Sequence, residues 1–145
     1  MKIGKSLLIS LVGILLIISI SSVSAGLFDS ISDAAGGNSD LTVENITLTD
    51  DGYGMYKVNC DMIPKKDFSY LEMEVTFYDN NGAVVGKSPL VWNMNEVKEG
   101  QLIKVTGNAY LDSSSNTPAT AEIFIIDTAF GDSDNPIFAE NVTMS

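Results

Sequence analysis

Two stretches of this chain alternate apolar and polar residues with a period of two. In Tyr56-Lys57-Val58-Asn59-Cys60-Asp61-Met62, and again in Leu71-Glu72-Met73-Glu74-Val75-Thr76-Phe77, every second side chain is apolar. That period marks a β-strand with one buried face, because successive side chains on a strand point to opposite faces. It also specifies register, since a slip of one residue turns a whole apolar set outward. Val58, Cys60, Met73, Val75 and Phe77, with Val105 and Ile125 further on, are therefore assigned to one core between two sheets.

The second stretch runs into Asp79-Asn80-Asn81-Gly82 and then Ala83-Val84-Val85. Asn and Gly accept positive φ, so this reads as a hairpin turn with a return strand from Val84 to Trp92. Pro89 inside that strand places it at a sheet edge or bends it. A loop through Asn93, Asn95, Glu96 and Glu99-Gly100 leads to a strand from Gln101 to Leu111, on which Ile103, Val105, Ala109 and Leu111 share a face. Ser113-Ser114-Ser115-Asn116 is a polar break. From Ala119 to Asp127, Glu122 is the only charge before Ile123-Phe124-Ile125-Ile126, the pattern of a central strand buried on nearly both faces. Leu41 to Thr49 forms a first strand and Ile137 to Met144 a last. The sum is an all-β immunoglobulin-like sandwich of about seven strands over residues 41–145, with turns every ~8–12 residues. The Cys and Trp signature of antibody-type domains is absent, so no disulfide pins the two sheets.

Composition limits the chemistry. The chain has 145 residues, 8 Lys, no Arg, no His, 19 acidic residues and a net charge of −11. Without imidazole there is no histidine-based triad or general base, and the commonest transition-metal ligand is missing. One Cys builds neither a disulfide framework nor a zinc site. The acidic balance excludes sequence-independent nucleic-acid binding, which rests on Lys and Arg neutralising phosphates.

The first residues read as an export signal. Lys2 and Lys5 precede Ser6–Val23, 18 residues without a charge, and Val23-Ser24-Ala25 offers the small residues a signal peptidase reads. Cleavage is expected after Ala25; the competing reading is an uncleaved anchor through residues 6–23, near the lower length limit for a span. Either way the remainder faces outward, because both lysines lie on the N-terminal side. Gly26 stands where a lipoprotein needs Cys. Removal of residues 1–25 leaves 6 Lys against 19 acids, a net charge of −13. Residues 26–40 read as a short apolar turn around Leu27, Phe28 and Ile31, followed by a Gly36-Gly37-Asn38-Ser39 linker.

The run Glu74-Val75-Thr76-Phe77-Tyr78-Asp79-Asn80-Asn81-Gly82-Ala83-Val84-Val85-Gly86 resembles the signature of the FxLYD family, small extracellular immunoglobulin-like domains of prokaryotic envelopes. In that family a strand ends in Tyr-Asp, turns through Asn and Gly, and returns with Val-Val-Gly. Lys98-Glu99-Gly100-Gln101 stands where a Pro-Gly-Glu-like step falls before a long strand. The resemblance spans residues ~41–127; this chain lacks the Phe-x-Leu lead-in and the Pro of the later step. It implies an accessory or binding role at the cell surface and carries no catalytic residues.

Other candidate constellations reduce to structure. Gly82–Ser88 falls one residue short of a phosphate-binding loop and sits in a hairpin, not before a helix. Glu72 and Glu74, spaced i, i+2, are the carboxylate pair a glycosidase-like hydrolase would use, but an outward row of Glu on a sheet is expected to be a solvated face. Cys60 has the apolar parity of its strand and is expected to be buried and inert. Trp92 shares parity with Val84 and Leu90, which points to a core or edge-covering ring. Asp50-Asp51-Gly52 and Asp127, Asp132, Asp134 and Asn135 offer oxygen ligands suited to calcium, yet their pattern is also that of turns, and no metal or other cofactor is assigned.

The expected function is an exported, non-enzymatic accessory or binding module whose partner is a surface protein or glycan; the alternative is an extracellular carboxylate-dependent hydrolase. Asn45 and Asn141, in Asn-Ile-Thr and Asn-Val-Thr, are the candidate glycosylation sites. N-terminal sequencing and intact-mass analysis of the exported protein test both readings. The chain is expected to begin at Gly26, with glycan mass at Asn45 and Asn141 in a host with N-linked glycosylation; retention of residues 1–25 would establish the anchor.

Overall fold

A computed structural model describes residues 40–131 and 134–144. The export signal, its cleavage site, the anchor reading and residues 26–39 of the linker lie outside the described residues. Seven strands follow in order: β1 (Leu41–Gly52), β2 (Met55–Pro64), β3 (Phe68–Tyr78), β4 (Val84–Val97), β5 (Ile103–Tyr110), β6 (Thr120–Ile126) and β7 (Phe138–Thr143). They form a three-stranded sheet, β1-β2-β5, and a four-stranded sheet, β4-β3-β6-β7, with every pairing antiparallel. The chain changes sheet between β2 and β3, β4 and β5, and β5 and β6, which gives the immunoglobulin-like sandwich. Among the described residues no helix is long and apolar enough to cross a membrane.

Period-two alternation builds the core as expected. Val58, Cys60, Met73, Val75, Phe77, Val105 and Ile125 are all buried in one hydrophobic cluster. The rings of Tyr56 and Phe77, one from each sheet, meet with centroids 5.1 Å apart at a tilt of 43°. Burial pushes the Cys60 thiol up to about 12, with the neighbouring Asp61 charge adding to the rise. The hairpin turn forms around Asp79, whose Oδ1 accepts the backbone N–H groups of Asn81 and Ala83, while Gly82 takes the positive φ.

Three expectations are corrected. β4 does not end at Trp92 but runs to Val97, so Asn93–Glu96 is strand and not loop. Its parity also breaks: Met73 pairs with Trp92 but Val75 with Ser88, so Pro89, Leu90 and Val91 bulge opposite Glu74 alone. Leu90 takes a positive φ there, and Val84 and Leu90 are exposed while Trp92 packs against the core. Finally, β6 is an interior strand between β3 and β7 as expected, but Glu122 and Phe124 on its outer face are half-buried, and the strand buried on both faces is β3, from Leu71 to Phe77.

One flank of the sandwich is sealed by β4 and β5, which belong to different sheets. The Ser88 Oγ accepts the Tyr110 N–H at 2.6 Å and donates to the Tyr110 carbonyl at 3.2 Å. Gly107 has no room for a side chain, since a Cβ there would stand 2.3 Å from the Val91 carbonyl oxygen. Gly107→Ala must therefore force β4 and β5 apart, at a cost of roughly 1–3 kcal/mol. Denaturant unfolding is expected to show that loss together with faster alkylation of Cys60, which in the unaltered protein reacts slowly. Fast native alkylation of Cys60 would overturn the core assignment.

Candidate functional site

Two places outside the core concentrate polar groups or open space. The first is the outer face of the four-stranded sheet. Glu72 and Glu74 point away from the core but are not solvated: Glu72 is 1% and Glu74 7% exposed. The expectation of a solvated row fails because β3 is an interior strand. Glu72 lies between Asn93 of β4 and Ile126 of β6, and Glu74 faces Phe124. The Tyr70 hydroxyl donates to Glu72 Oε2 at 2.6 Å and in turn accepts from the Asn93 side-chain amide at 3.3 Å. The Phe130 backbone N–H also reaches Glu72 Oε2, at 3.4 Å, while the Phe130 ring is 82% exposed and its φ is +53°. Glu72 Oε1 has no hydrogen-bond partner among the described residues.

Burial raises the Glu74 carboxyl above its ordinary value; the Lys87 charge opposes the rise and the Glu72 charge adds to it. Further along the same face the Tyr78 hydroxyl donates to Glu122 at 2.9 Å, and burial together with that bond pushes the phenol up to about 12. The face therefore stores carboxylates beneath tyrosine hydroxyls and apolar neighbours. Such a lining suits a packed surface.

The second place is an open cleft of about 610 Å³ on the flank opposite β4 and β5. Leu48 and Asp50 of β1, Tyr56 of β2, Thr117–Thr120 before and at the start of β6, Asn80, and Val142–Met144 at the end of β7 line it. Apolar and polar groups share its lining, and among the described residues Asp50 is the only charged side chain there. Asp50 Oδ1 accepts the Gly52 N–H at 2.7 Å. The Tyr56 phenol lies close enough to that carboxylate to be raised by it, after the larger effect of burial. Neither Glu72 nor Glu74 borders this cleft.

The sequence-derived candidates are distributed as follows. Asn45 is exposed at a bulge in β1, with φ of +56°, and its side-chain amide donates to Asp61 Oδ2 at 2.9 Å. Asp61 also accepts Lys104 at 2.9 Å, and these bonds hold its carboxyl below the usual range. Asn141 is half-buried on β7. The two sequons lie on edge strands of different sheets. Asp127, Asp134 and Asn135 are exposed, and Asp132 lies outside the described residues. Among the described residues no three or more acidic or Cys side chains gather closely enough to hold a metal ion. The cleft escaped the sequence reading because its walls come from four segments far apart in the chain. The Tyr70–Glu72 pair was open to detection, since i and i+2 on a strand share a face.

No family model matches the chain. No curated protein matches it either. Solved structures with a similar backbone include a DUF1425 family member from Shewanella sp. pv-4, at 22% identity over 61% of this chain and 79% of that one, with a TM-score of 0.42. The Pseudomonas fluorescens alkylpurine DNA glycosylase AlkC, bound to DNA containing an abasic site analogue, is similar at 6% identity over 79% of this chain and 35% of that one, with a TM-score of 0.47. A β-glucuronidase from glycoside hydrolase family 2 is similar at 16% identity over 67% of this chain and 10% of that one, with a TM-score of 0.43. The chain thus spans a minor part of both enzymes. This chain is a small immunoglobulin-like β-sandwich.

The buried carboxylates give a pH test. A carboxyl whose pKa is higher folded than unfolded holds its proton more tightly when folded, so its ionisation lowers stability above the folded value and the loss disappears as pH falls toward the ordinary value. Glu74→Gln is expected to raise Tm at neutral pH and to change it little below about pH 4, where the unfolded carboxyl is largely protonated. An equal change at both pH values in a thermal-melt series would assign the effect to packing instead.

Proposed function

We propose that this chain is an exported, non-enzymatic accessory module of the FxLYD kind, acting by binding a protein or glycan at the cell surface or envelope. The observation that carries the reading is the separation of charge from open space. The carboxylate pair required by a hydrolase is buried under Tyr70 and its neighbours, whereas the cleft of about 610 Å³ is lined by apolar and neutral polar groups around a single carboxylate. Hydrolysis by two carboxylates needs both to flank an accessible bond. Recognition needs an apolar depression with a few polar groups, which is what the cleft offers. The FxLYD-like hairpin supports the same reading through the turn it builds at Asp79–Gly82.

Surface placement and lack of catalysis are tested together. Protease added to intact cells is expected to remove the chain without lysis, and the purified protein is expected to leave a panel of chromogenic glycosides and esters unhydrolysed. A chain protected until lysis would overturn the surface role. Hydrolysis abolished by Glu72→Gln with the fold retained would replace the binding module with the enzyme.

A further inference from the structure

The sandwich has four edge strands, and they are not equivalent. β1 loses register with β2 twice, once at the Asn45 bulge. β4 carries Pro89 and two register shifts. β5 is covered along its flank by β4 through Ser88–Tyr110 and the Val91–Gly107 approach. β7 differs from all three: its register with β6 runs unbroken from Phe138 to Thr143, and it contains no Pro and no Lys. Bulges, prolines and lysines are among the devices by which sheets blunt an edge against added strands. Among the described residues β7 pairs only with β6, so the backbone groups on its other side have no ladder partner.

That regular edge borders the cleft, because Val142, Thr143 and Met144 belong to its lining. We propose that an extended peptide segment of a partner adds as a strand to β7, seats its apolar side chains against Leu48, Pro118, Val142 and Met144, and places a Lys or Arg against Asp50. Strand addition uses main-chain hydrogen bonds for affinity and alternate side-chain pockets for specificity. The charge of the occupant follows from the site. Among the described residues Asp50 is the only charge in the lining, and the chain carries −11 overall. Both occupants that this chain itself supplies are acidic. Residues 26–39 contain Asp29 and Asp33 and no Lys, and a second copy would bring another Glu140 and a further net negative charge to the edge. A basic and apolar partner meets neither repulsion.

This inference rests on the binding-module reading, but its test uses purified protein and so fails independently of surface placement. The probe is a capped hexapeptide alternating Lys and Val, titrated by calorimetry into the exported chain, beside a Glu–Val counterpart and a Lys–Val version N-methylated at alternate residues. The Lys–Val peptide is expected to bind, and to weaken as salt rises. Asp50→Asn is expected to weaken it about threefold, as for a partly exposed ion pair, and N-methylation by at least about tenfold through lost main-chain bonds. Val142→Glu, with its Tm checked, is expected to abolish binding. The proposal is overturned if no peptide binds, if the Glu–Val peptide binds equally, or if N-methylation has no effect. It is equally overturned if sedimentation shows dimers that Val142→Glu dissociates, or if the β7 amides that face away from β6 are already protected from hydrogen exchange in the peptide-free monomer, since a second copy or residues 26–39 would then occupy the edge.

Discussion

β3 is hydrogen-bonded along both sides, to β4 and to β6, and from Leu71 to Phe77 it is buried on both faces. Its inward set, Leu71, Met73, Val75 and Phe77, supplies the centre of the core. Its outward set, Glu72, Glu74 and Thr76, is polar and yet out of solvent. A slip of one residue would put two glutamates between the sheets and four apolar side chains on the outside, so the register of this strand holds the sandwich to one arrangement. Tyr70 and Tyr78, at the two ends of the strand, bond to Glu72 and Glu122 and thereby meet part of the demand that burying carboxylates creates.

The two flanks of the sandwich follow from small residues and bulges. Gly86 and Gly107 let β4 and β5 approach so closely that a Cβ at either would collide with the opposite backbone. The bulge at Pro89–Val91 swings the Val91 backbone against Gly107, and Ser88 is left to bridge to Tyr110. Among the described residues no equivalent bridge closes β1 against β7, and Leu48, Val142 and Met144 line the opening there.

Charge acts on this domain in two directions. Lys57–Asp51, Lys66–Asp40, Lys98–Asp67 and Lys104–Asp61 are surface ion pairs, each of modest value because water screens them. The Glu99 N–H, then Lys98, holds the Asp67 carboxyl below the usual range, as Lys104 and Asn45 do for Asp61. Groups of that kind contribute stability above their unfolded pKa and lose it as pH falls through the lowered folded value. Glu74 has the opposite sign. Acidification therefore removes surface support while relieving the buried carboxylate, and the pH profile of the whole domain is the difference between the two.

The strands, the hairpin at Asp79–Gly82, the core membership of Val58, Cys60, Met73, Val75, Phe77, Val105 and Ile125, and the buried thiol were legible in the chain itself, because side-chain parity and turn chemistry are local. Parity could not say what stands above an outward residue. That depends on which strands flank it, so the burial of Glu72 and Glu74 was decided only when β3 took an interior position between β4 and β6. Pro89 marked an edge or a bend, and β4 is an edge strand that bulges there, but parity could not foresee that the strand would continue to Val97 and take Trp92 out of phase with Leu90, since a bulge answers to the partner strand. The cleft belongs wholly to tertiary structure. Leu48, Tyr56, Pro118 and Val142 are scattered along the chain and meet only where one flank of a sandwich stays open while the other is held shut.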